Sequence, residues 1–485
     1  GDYDVDGITS VAMLYNFLKR RKANVIYYIP NRLDEGYGLN VGAISKIINI
    51  GVDLIITVDC GINSIKEVEQ CNEAGIDIII TDHHECGDVL PDAYAIINPN
   101  QDKCSYAFKH LAGGGVVFKL LHALSDKFDC KNEFLDFLDL AALATVADVV
   151  PLIGENRIIV KNGLELIKQT KNIGINALIE ICNIKPNNIS TYHLGYILAP
   201  RLNAAGRIKD ASIAVELLTT NKKERAFEIA KELNESNLHR QDIERSIVES
   251  AKEMIEKDIN IDSEKVIVLD NPSWHIGVIG IVASRITESY HLPSIIISVE
   301  DGIGKGSARS LPGFNIYKAI SKCEDLLDRF GGHELAAGLT LKEENISLFK
   351  KRINEIAKEI LQEKILYPEI YVDYKLDNKD VLLDVIDEIS CLEPFGVGNP
   401  APLFVYRYLE VMDMRKVGND KHLFLYLNNG KNSIKAIGFN FGYMANYIAV
   451  NQKIDIICSV ERNVWKGVES AQLHVKDIKL SKRPS

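Results

Sequence analysis

Three carboxylates stand at alternate positions at the start of the chain, in Gly1-Asp2-Tyr3-Asp4-Val5-Asp6-Gly7, and more acids and imidazoles follow at Asp59, in Asp82-His83-His84 and at Asp148. In an extended strand Asp2, Asp4 and Asp6 share one face, with Val5 turned to the other. Like charges that close raise one another's pKa and oppose folding, so the pattern makes physical sense around a divalent cation. An Asp-rich N-cap and turn would explain one or two of these residues. Oxygen ligands with one or two imidazoles suit Mn²⁺ or Mg²⁺, and the histidine tilts the preference toward Mn²⁺. Asp4, Asp6, Asp59, His83, His84 and Asp148 are too many for one ion that keeps positions open for substrate. Two ions about 4 Å apart, bridged by a shared carboxylate, fit the count and make a clamp for in-line attack on phosphorus.

Such a site needs a scaffold that gathers distant turns. The first 150 or so residues alternate between strand and helix patterns, which predicts a doubly wound parallel sheet. Val25–Ile29, Leu54–Val58, Ile76–Ile80 and Ala93–Ile97 are β-branched runs of strand length, and Val41–Ile50 and Ser64–Ala74 have helical periodicity. Ile8, Val11, Leu14, Tyr15 and Leu18 recur at helical spacing, so the first acids fall at a strand-to-helix turn, where open α/β sheets bind ligands. The chain starts at this motif with no room for the strand that should carry it, so an upstream segment is expected. Asp59 and Asp82-His83-His84 close two further strands. An apolar helix, Phe134–Ala147, delivers Asp148 at its C-terminus, the unfavourable end of the dipole, so a compensating positive charge is expected. Gly113-Gly114-Gly115 opens an apolar helix; it could bind an anion, with close packing on the sheet the preferred reading.

Beyond the first domain, placed at 1–175, a helical connector over 176–262 contains the charged segment Asn221–Lys257, read as one or two exposed helices. A second α/β domain over 263–364 opens with the strand Val266–Asp270 and an apolar helix, Ile276–Tyr290. It continues through Ser294–Val299, the Gly302–Ser310 stretch and helices around Asn315–Phe330 and Glu343–Gln362, with Gly331-Gly332-His333 between them. The glycines at 302–306 match a nucleotide fingerprint only loosely and no helix opens from them, which argues against a Rossmann site. Residues 365–485 alternate in five short strands, one pair joined at Asn428-Asn429-Gly430, which predicts an antiparallel β-barrel of the OB type, a common single-strand binding module. The bland alternative is a purely structural barrel.

Composition sets limits. A net charge of −11 over 485 residues argues against a nonspecific nucleic-acid coat, although bound metals and local arginines can supply positive potential in an enzyme. Nine scattered cysteines without a Cys-x-x-Cys pair fit a reducing cytoplasm. Cys86 lies near His83 and His84, but no second ligand pair at zinc spacing follows, so it is read as a bystander. No apolar run reaches the ~20 residues a membrane span needs, and no signal peptide is visible.

Asp-x-Asp-x-Asp-Gly, the strand-borne Asp59, Asp82-His83-His84 and Asp148 resemble the four motifs of the DHH phosphoesterase superfamily. Gly331-Gly332-His333 with Gly306-Ser307-Ala308-Arg309 resembles its associated DHHA1 domain. Ala199-Pro200-Arg201-Leu202-Asn203-Ala204-Ala205-Gly206-Arg207 and Glu393–Pro400 are similar to the bacterial, single-strand-specific exonuclease branch of that superfamily. The resemblance implies 5′-to-3′ degradation of single-stranded DNA to mononucleotides in recombination and repair. It implies metal ligation by Asp4, Asp6, Asp59, His83 and Asp148 with Asp59 as the bridge, and contact of His84 with the scissile phosphate. It implies a pocket for the 5′ phosphate at Arg32, Ser307 and Arg309, and contacts of Arg201, Asn203, Arg207 and His333 with the strand or the phosphate being cut. Asp2 has no assured role and His275 is left unassigned. A cytoplasmic monomer is expected, with single-stranded DNA as substrate and single-strand binding protein and a helicase as partners. Two rival readings stay open: a hydrolase of short oligonucleotides or small phosphates, and an inactive replication scaffold.

Overall fold

Leu54–Val58 (β1), Asp77–Thr81 (β2) and Ala95–Ile97 (β3) pair in parallel in that order, as their β-branched sequences favour. The computed structural model describes residues 1–30, 38–208, 210–260, 263–361, 369–465 and 467–481. It divides into two compact units, Gly1–Asp148 with Asn162–Pro368, and Val149–Lys161 with Glu369–Ser485. In the first unit, α2 (Val41–Ile50) and α3 (Ile65–Glu73) pack Ile44, Val68 and Cys71 against Ile55, Ile78 and Ile80 on one face of the sheet. On the other, Val58 approaches Val11 of α1 (Val5–Arg20), and α4 (Gly113–Lys127) also contacts the sheet, so both faces are covered as a doubly wound fold requires. Val25–Ile29, expected as a strand, forms none: its composition favours strand, but a ladder needs a partner that only the tertiary fold supplies.

Asp2 to Asp6 are not a strand either. Helix α1 begins at Val5, and Asp4 is its N-cap, its carboxylate accepting the Gly7 N–H at 3.1 Å. Capping satisfies one of the four orphan donors of the helix, and this local bond outweighs the alternating pattern. The chain continues through the almost fully buried α5 (Leu138–Ala147), α6 (Gly154–Ile167) and α7 (Ile173–Ile181). A π-helical turn, His193–Leu198, then runs into α8 (Ala199–Ile208), followed by α9 (Ser212–Thr219).

Lys223–Asp258 is a single helix, α10, of 36 residues, and it is not simply exposed. Ala226, Ile229, Leu233, Ile247, Ala251 and Ile255 form a buried stripe at helical spacing. The same stripe carries the buried pair Arg240–Glu244 at 3.0 Å.

The second sheet joins β4 (Ile267–Asn271), β5 (Ser294–Glu300), β6 (Ile303–Arg309), β7 (Arg329–Gly332) and β8 (Ala336–Lys342) in the order β4-β5-β6-β8-β7, parallel only between β4 and β5. Helices α11 (Ile276–Tyr290), α12 (Ile316–Ser321) and α13 (Ile346–Ile360) accompany it. The helix expected over Asn315–Phe330 shrinks to α12 and a 3₁₀ turn, because Arg329 and Phe330 already pair with β8.

In the second unit, β9 (Tyr374–Leu376) and α14 (Leu382–Ser390) precede β10 (Phe404–Val417), β11 (His422–Asn428), β12 (Ser433–Gly438), β13 (Lys453–Trp465) and β14 (Val468–Leu480). Pairings β10–β11–β12–β14–β13–β10 close a five-stranded barrel of the OB type. Four of these ladders are antiparallel as expected; the β12–β14 ladder is parallel and completes the ring. Tyr406, Leu409, Leu425, Ile454, Ile456 and Leu473 fill its interior. Among the described residues no helix is long and apolar enough to cross a membrane.

Candidate metal centre

The acids reach the centre from the ends of secondary-structure elements: Asp4 and Asp6 from the start of α1, Asp59 from the end of β1 and Asp148 from the end of α5. Asp59 follows β1 in a left-handed conformation, φ +59°, while its N–H still donates to the Thr81 carbonyl at 2.9 Å. That bend ends the strand and buries the carboxylate to 2% exposure. Asp6, in the first turn of α1, accepts the Gly113 and Gly114 N–H groups at 2.7 and 2.6 Å. The positive end of α4 therefore does bind an anion, and the anion is the protein's own carboxylate. Close packing holds as well: a Cβ at Gly113 would lie 2.6 Å from Asp59 Oδ1, and one at Gly114 2.4 Å from the Ala144 Cβ.

Asp82 organises the histidines. It accepts the N–H groups of His83 at 2.7 Å, His84 at 3.2 Å and Ile62 at 3.0 Å, and its Oδ1 lies 2.7 Å from His84 Nδ1. Burial would push its carboxyl up, but these bonds, that of His84 first, hold it below the usual range. His83 Nε2 is left facing Asp59 Oδ1 at 3.1 Å, Asp148 Oδ2 at 3.6 Å and Asp6 Oδ2 at 3.7 Å.

Ligand atoms converge within 4.8 Å in each of three trios: Asp59 with His83 and His84, Asp6 with His83 and Asp148, and Asp2 with Asp4 and Asp59. Asp59 and His83 each belong to two of them. Asp2 Oδ1, Asp59 Oδ1 and His83 Nε2 are buried without a hydrogen-bond partner. Orphaned groups of this kind cost about 1–3 kcal/mol each, which coordination of a cation would offset. Divalent ions thus fit this donor set.

Electrostatics agree. Burial and the Asp4 charge push Asp2 and Asp6 up to about 7, and burial with Asp6 and Asp4 pushes Asp148 up to about 8. Asp59 is raised by burial and then by Asp6, Asp4, Asp2 and Asp148. Burial and the His84 charge lower His83 to about 4, which leaves its imidazole neutral with a lone pair to offer. Burial opposes charge on His84 too, but the Asp82 bond and the Asp148 and Asp2 charges raise it to about 8. His84 is thus the positive group expected to compensate Asp148, and its charge only partly offsets the repulsion there.

Family models match three consecutive parts of the chain: the DHH family N-terminal domain over residues 1–145, the DHHA1 domain over 263–359 and the RecJ OB domain over 372–477. The single-stranded-DNA-specific exonuclease RecJ of Salmonella typhimurium is 37% identical over 500 residues, covering 99% of this chain and 86% of the relative. This chain belongs to the RecJ family. The RecJ of Bacillus subtilis is 40% identical over 484 residues, but this chain spans only 61% of that relative's length. The crystal structure of RecJ from Thermus thermophilus in complex with Mn²⁺ matches with a TM-score of 0.85 at 30% identity, over 99% of this chain and 68% of that one.

The other residues singled out in this RecJ-family chain divide sharply. Arg32 lies outside the described residues, as does the side chain of Arg207 in α8. Arg201 is spent internally, its Nε donating to Asn234 Oδ1 at 2.9 Å and its Nη1 to the Ile197 carbonyl at 2.6 Å. Asn203 accepts the Val5 N–H at 3.1 Å and so anchors the start of α1, a positioning task. Ser307 and Arg309 lie on β6, where Arg309 Nη1 donates to Ser307 Oγ at 3.2 Å, and both line a cavity of about 750 Å³. His333 is exposed just past β7, its N–H donating to the Ala336 carbonyl at 2.8 Å; it is not a core histidine, and among the described residues no contact ties it to the acid cluster. His275 Nδ1 accepts the Gly277 N–H at 3.1 Å, a cap for α11. Among the described residues no trio includes Cys86.

Three contributors had been given no role from the sequence. Asp82 was visible only as part of a triplet, Asp2 shares a trio with Asp4 and Asp59, and Gly280 leaves room for the pocket. A Cβ at Gly280 would lie 3.0 Å from Ser307 Oγ and 3.3 Å from Arg309 Nη2. Only the alternation of Asp2 with Asp4 and Asp6 was a usable signal.

Proposed function

We propose that this chain hydrolyses single-stranded DNA from the 5′ end and releases mononucleotides, with two divalent cations, Mn²⁺ or Mg²⁺, as cofactors. The observation that carries the reading is the convergence of Asp2, Asp4, Asp6, Asp59, His83, His84 and Asp148 with orphaned polar atoms in their midst. Asp4, Asp6, Asp59, His83 and Asp148 would hold the ions, with Asp59 shared and Asp2 joining it and Asp4. The ions would supply Lewis acidity toward the phosphate oxygens and an activated water. His84 remains cationic at neutral pH, with Asp82 engaging its Nδ1, and would meet charge that develops on the scissile phosphate. Gly113 and Gly114 hold Asp6 in place and Asn203 holds the helix that carries it.

Ser307 and Arg309, with Arg32, form the pocket for the terminal 5′ phosphate in this reading, which gives the polarity of degradation. His333, Arg201 and Arg207 serve the strand in it; for Arg201 the internal bonds leave an indirect role through the π-helical turn. The division into 1–175, 176–262, 263–364 and 365–485 assigns chemistry to the first part, the 5′ end to the third and the strand to the barrel. The enzyme acts in recombination and repair as a cytoplasmic monomer, alongside single-strand binding protein and a helicase.

A Mn²⁺-dependent digestion of 5′-labelled single-stranded DNA tests this. Mononucleotides released from long strands are expected, and duplex should resist. Indifference to strand length would favour a small-phosphate hydrolase instead, and absence of cleavage an inactive scaffold.

A further inference from the structure

The cavity on the second sheet holds more positive charge than one terminal phosphate needs. Lys305, Ser307 and Arg309 occupy alternate positions of β6 and face the same side. Lys305 and Arg329 both pair with Thr340 of β8, which sets Arg329 level with Lys305 across one intervening strand, roughly 10 Å away. All four line the 750 Å³ cavity, and among the described residues no acidic side chain does, in a chain whose net charge is −11. From Arg309 to Lys305 the strand runs roughly 13 Å, a longer track than one phosphate fills.

The cations differ in how they are held. Arg309 is turned onto Ser307 Oγ and the Ala308 carbonyl. Lys305 and Arg329 are exposed, and among the described residues neither has an ion-pair partner. Like charges presented on one face of a sheet repel, and an anion between them reverses the sign.

We propose that Lys305 and Arg329 form a second anion subsite beside Ser307 and Arg309, and that it receives the outer phosphates of a strand whose 5′ end carries a triphosphate. The inference rests on the reading of Ser307 and Arg309 as the 5′-phosphate pocket. One binding experiment separates the two: fluorescence anisotropy of the full chain, with metal chelated so that no strand is cut, against three otherwise identical oligonucleotides ending in 5′-hydroxyl, 5′-monophosphate or 5′-triphosphate. The triphosphate end should bind about tenfold tighter than the monophosphate end, the scale of one charge-assisted contact. The combined Lys305→Gln and Arg329→Gln variant should lose that step and keep the step from hydroxyl to monophosphate. Ser307→Ala with Arg309→Gln should lose the latter. Equal affinity of the wild type for the two phosphorylated ends, or a triphosphate preference that survives in the Lys305/Arg329 variant, overturns the second subsite. No preference for monophosphate over hydroxyl overturns the underlying pocket instead.

Discussion

Asp59→Asn in metal-free protein should make the first domain more stable at alkaline pH, not less. Ligand atoms of Asp59 lie within 4.8 Å of those of Asp2 and Asp4, and an ionised pair at that range costs about 3 kcal/mol at an effective dielectric of ~20. Asparagine keeps the shape and tolerates the left-handed conformation at φ +59°, whereas alanine there would add a backbone penalty of about 1 kcal/mol. Partial protonation of the neighbours at pH 8.5 trims the relief, so a gain of about 2 kcal/mol is expected. The sign with pH follows from carboxyls whose folded pKa is raised from 3.8 to about 7 for Asp2 and Asp6 and about 8 for Asp148. Their contribution to stability is fully present below the unfolded pKa and is lost as pH rises through the folded values. The advantage of the variant should therefore be small near pH 4.5 and full at pH 8.5. A chain of several domains need not unfold in two states, so the readout is hydrogen exchange of peptides from α1 and α4 in chelator. About 30-fold slower exchange corresponds to 2 kcal/mol. Added Mn²⁺ should invert the order by protecting the wild type alone. Faster exchange in the chelated variant at pH 8.5, or a benefit equal at both pH values, would refute the idea that mutual repulsion dominates this cluster.

Asp82→Asn should slow strand hydrolysis by about 10- to 100-fold, and the pH–rate profile should shift as His84 loses the bond that raises it; an unmoved profile would deny that coupling. Asn203→Ala should weaken Mn²⁺ binding, read by titration calorimetry, more than it weakens DNA binding at saturating metal; the opposite split would make Asn203 a substrate contact. Gly114→Ala drives a Cβ to within 2.4 Å of the Ala144 Cβ and should cost about 1–3 kcal/mol in chelated protein, seen as faster exchange in α4; unchanged exchange would mean the α4–α5 contact yields freely.

The candidate donors other than Asp2 could be read from the chain alone. Carboxylates and imidazoles at the ends of β-branched runs announce themselves locally, because strand periodicity and turn chemistry are short-range properties. The barrel was legible for the same reason, in the alternation that runs from Phe404 to Leu480. What is not local depended on packing. Asp6 meets the N–H groups of Gly113 and Gly114 more than a hundred residues away, and Val5 meets Asn203 from 198 positions distant. Val25–Ile29 found no ladder, β12 and β14 closed the barrel in parallel, and Asp4 became a cap where alternation suggested a strand. A pattern of apolar and polar residues specifies which face is buried, but which distant donor reaches a given carboxylate depends on how the elements pack, and that is set by the whole core at once.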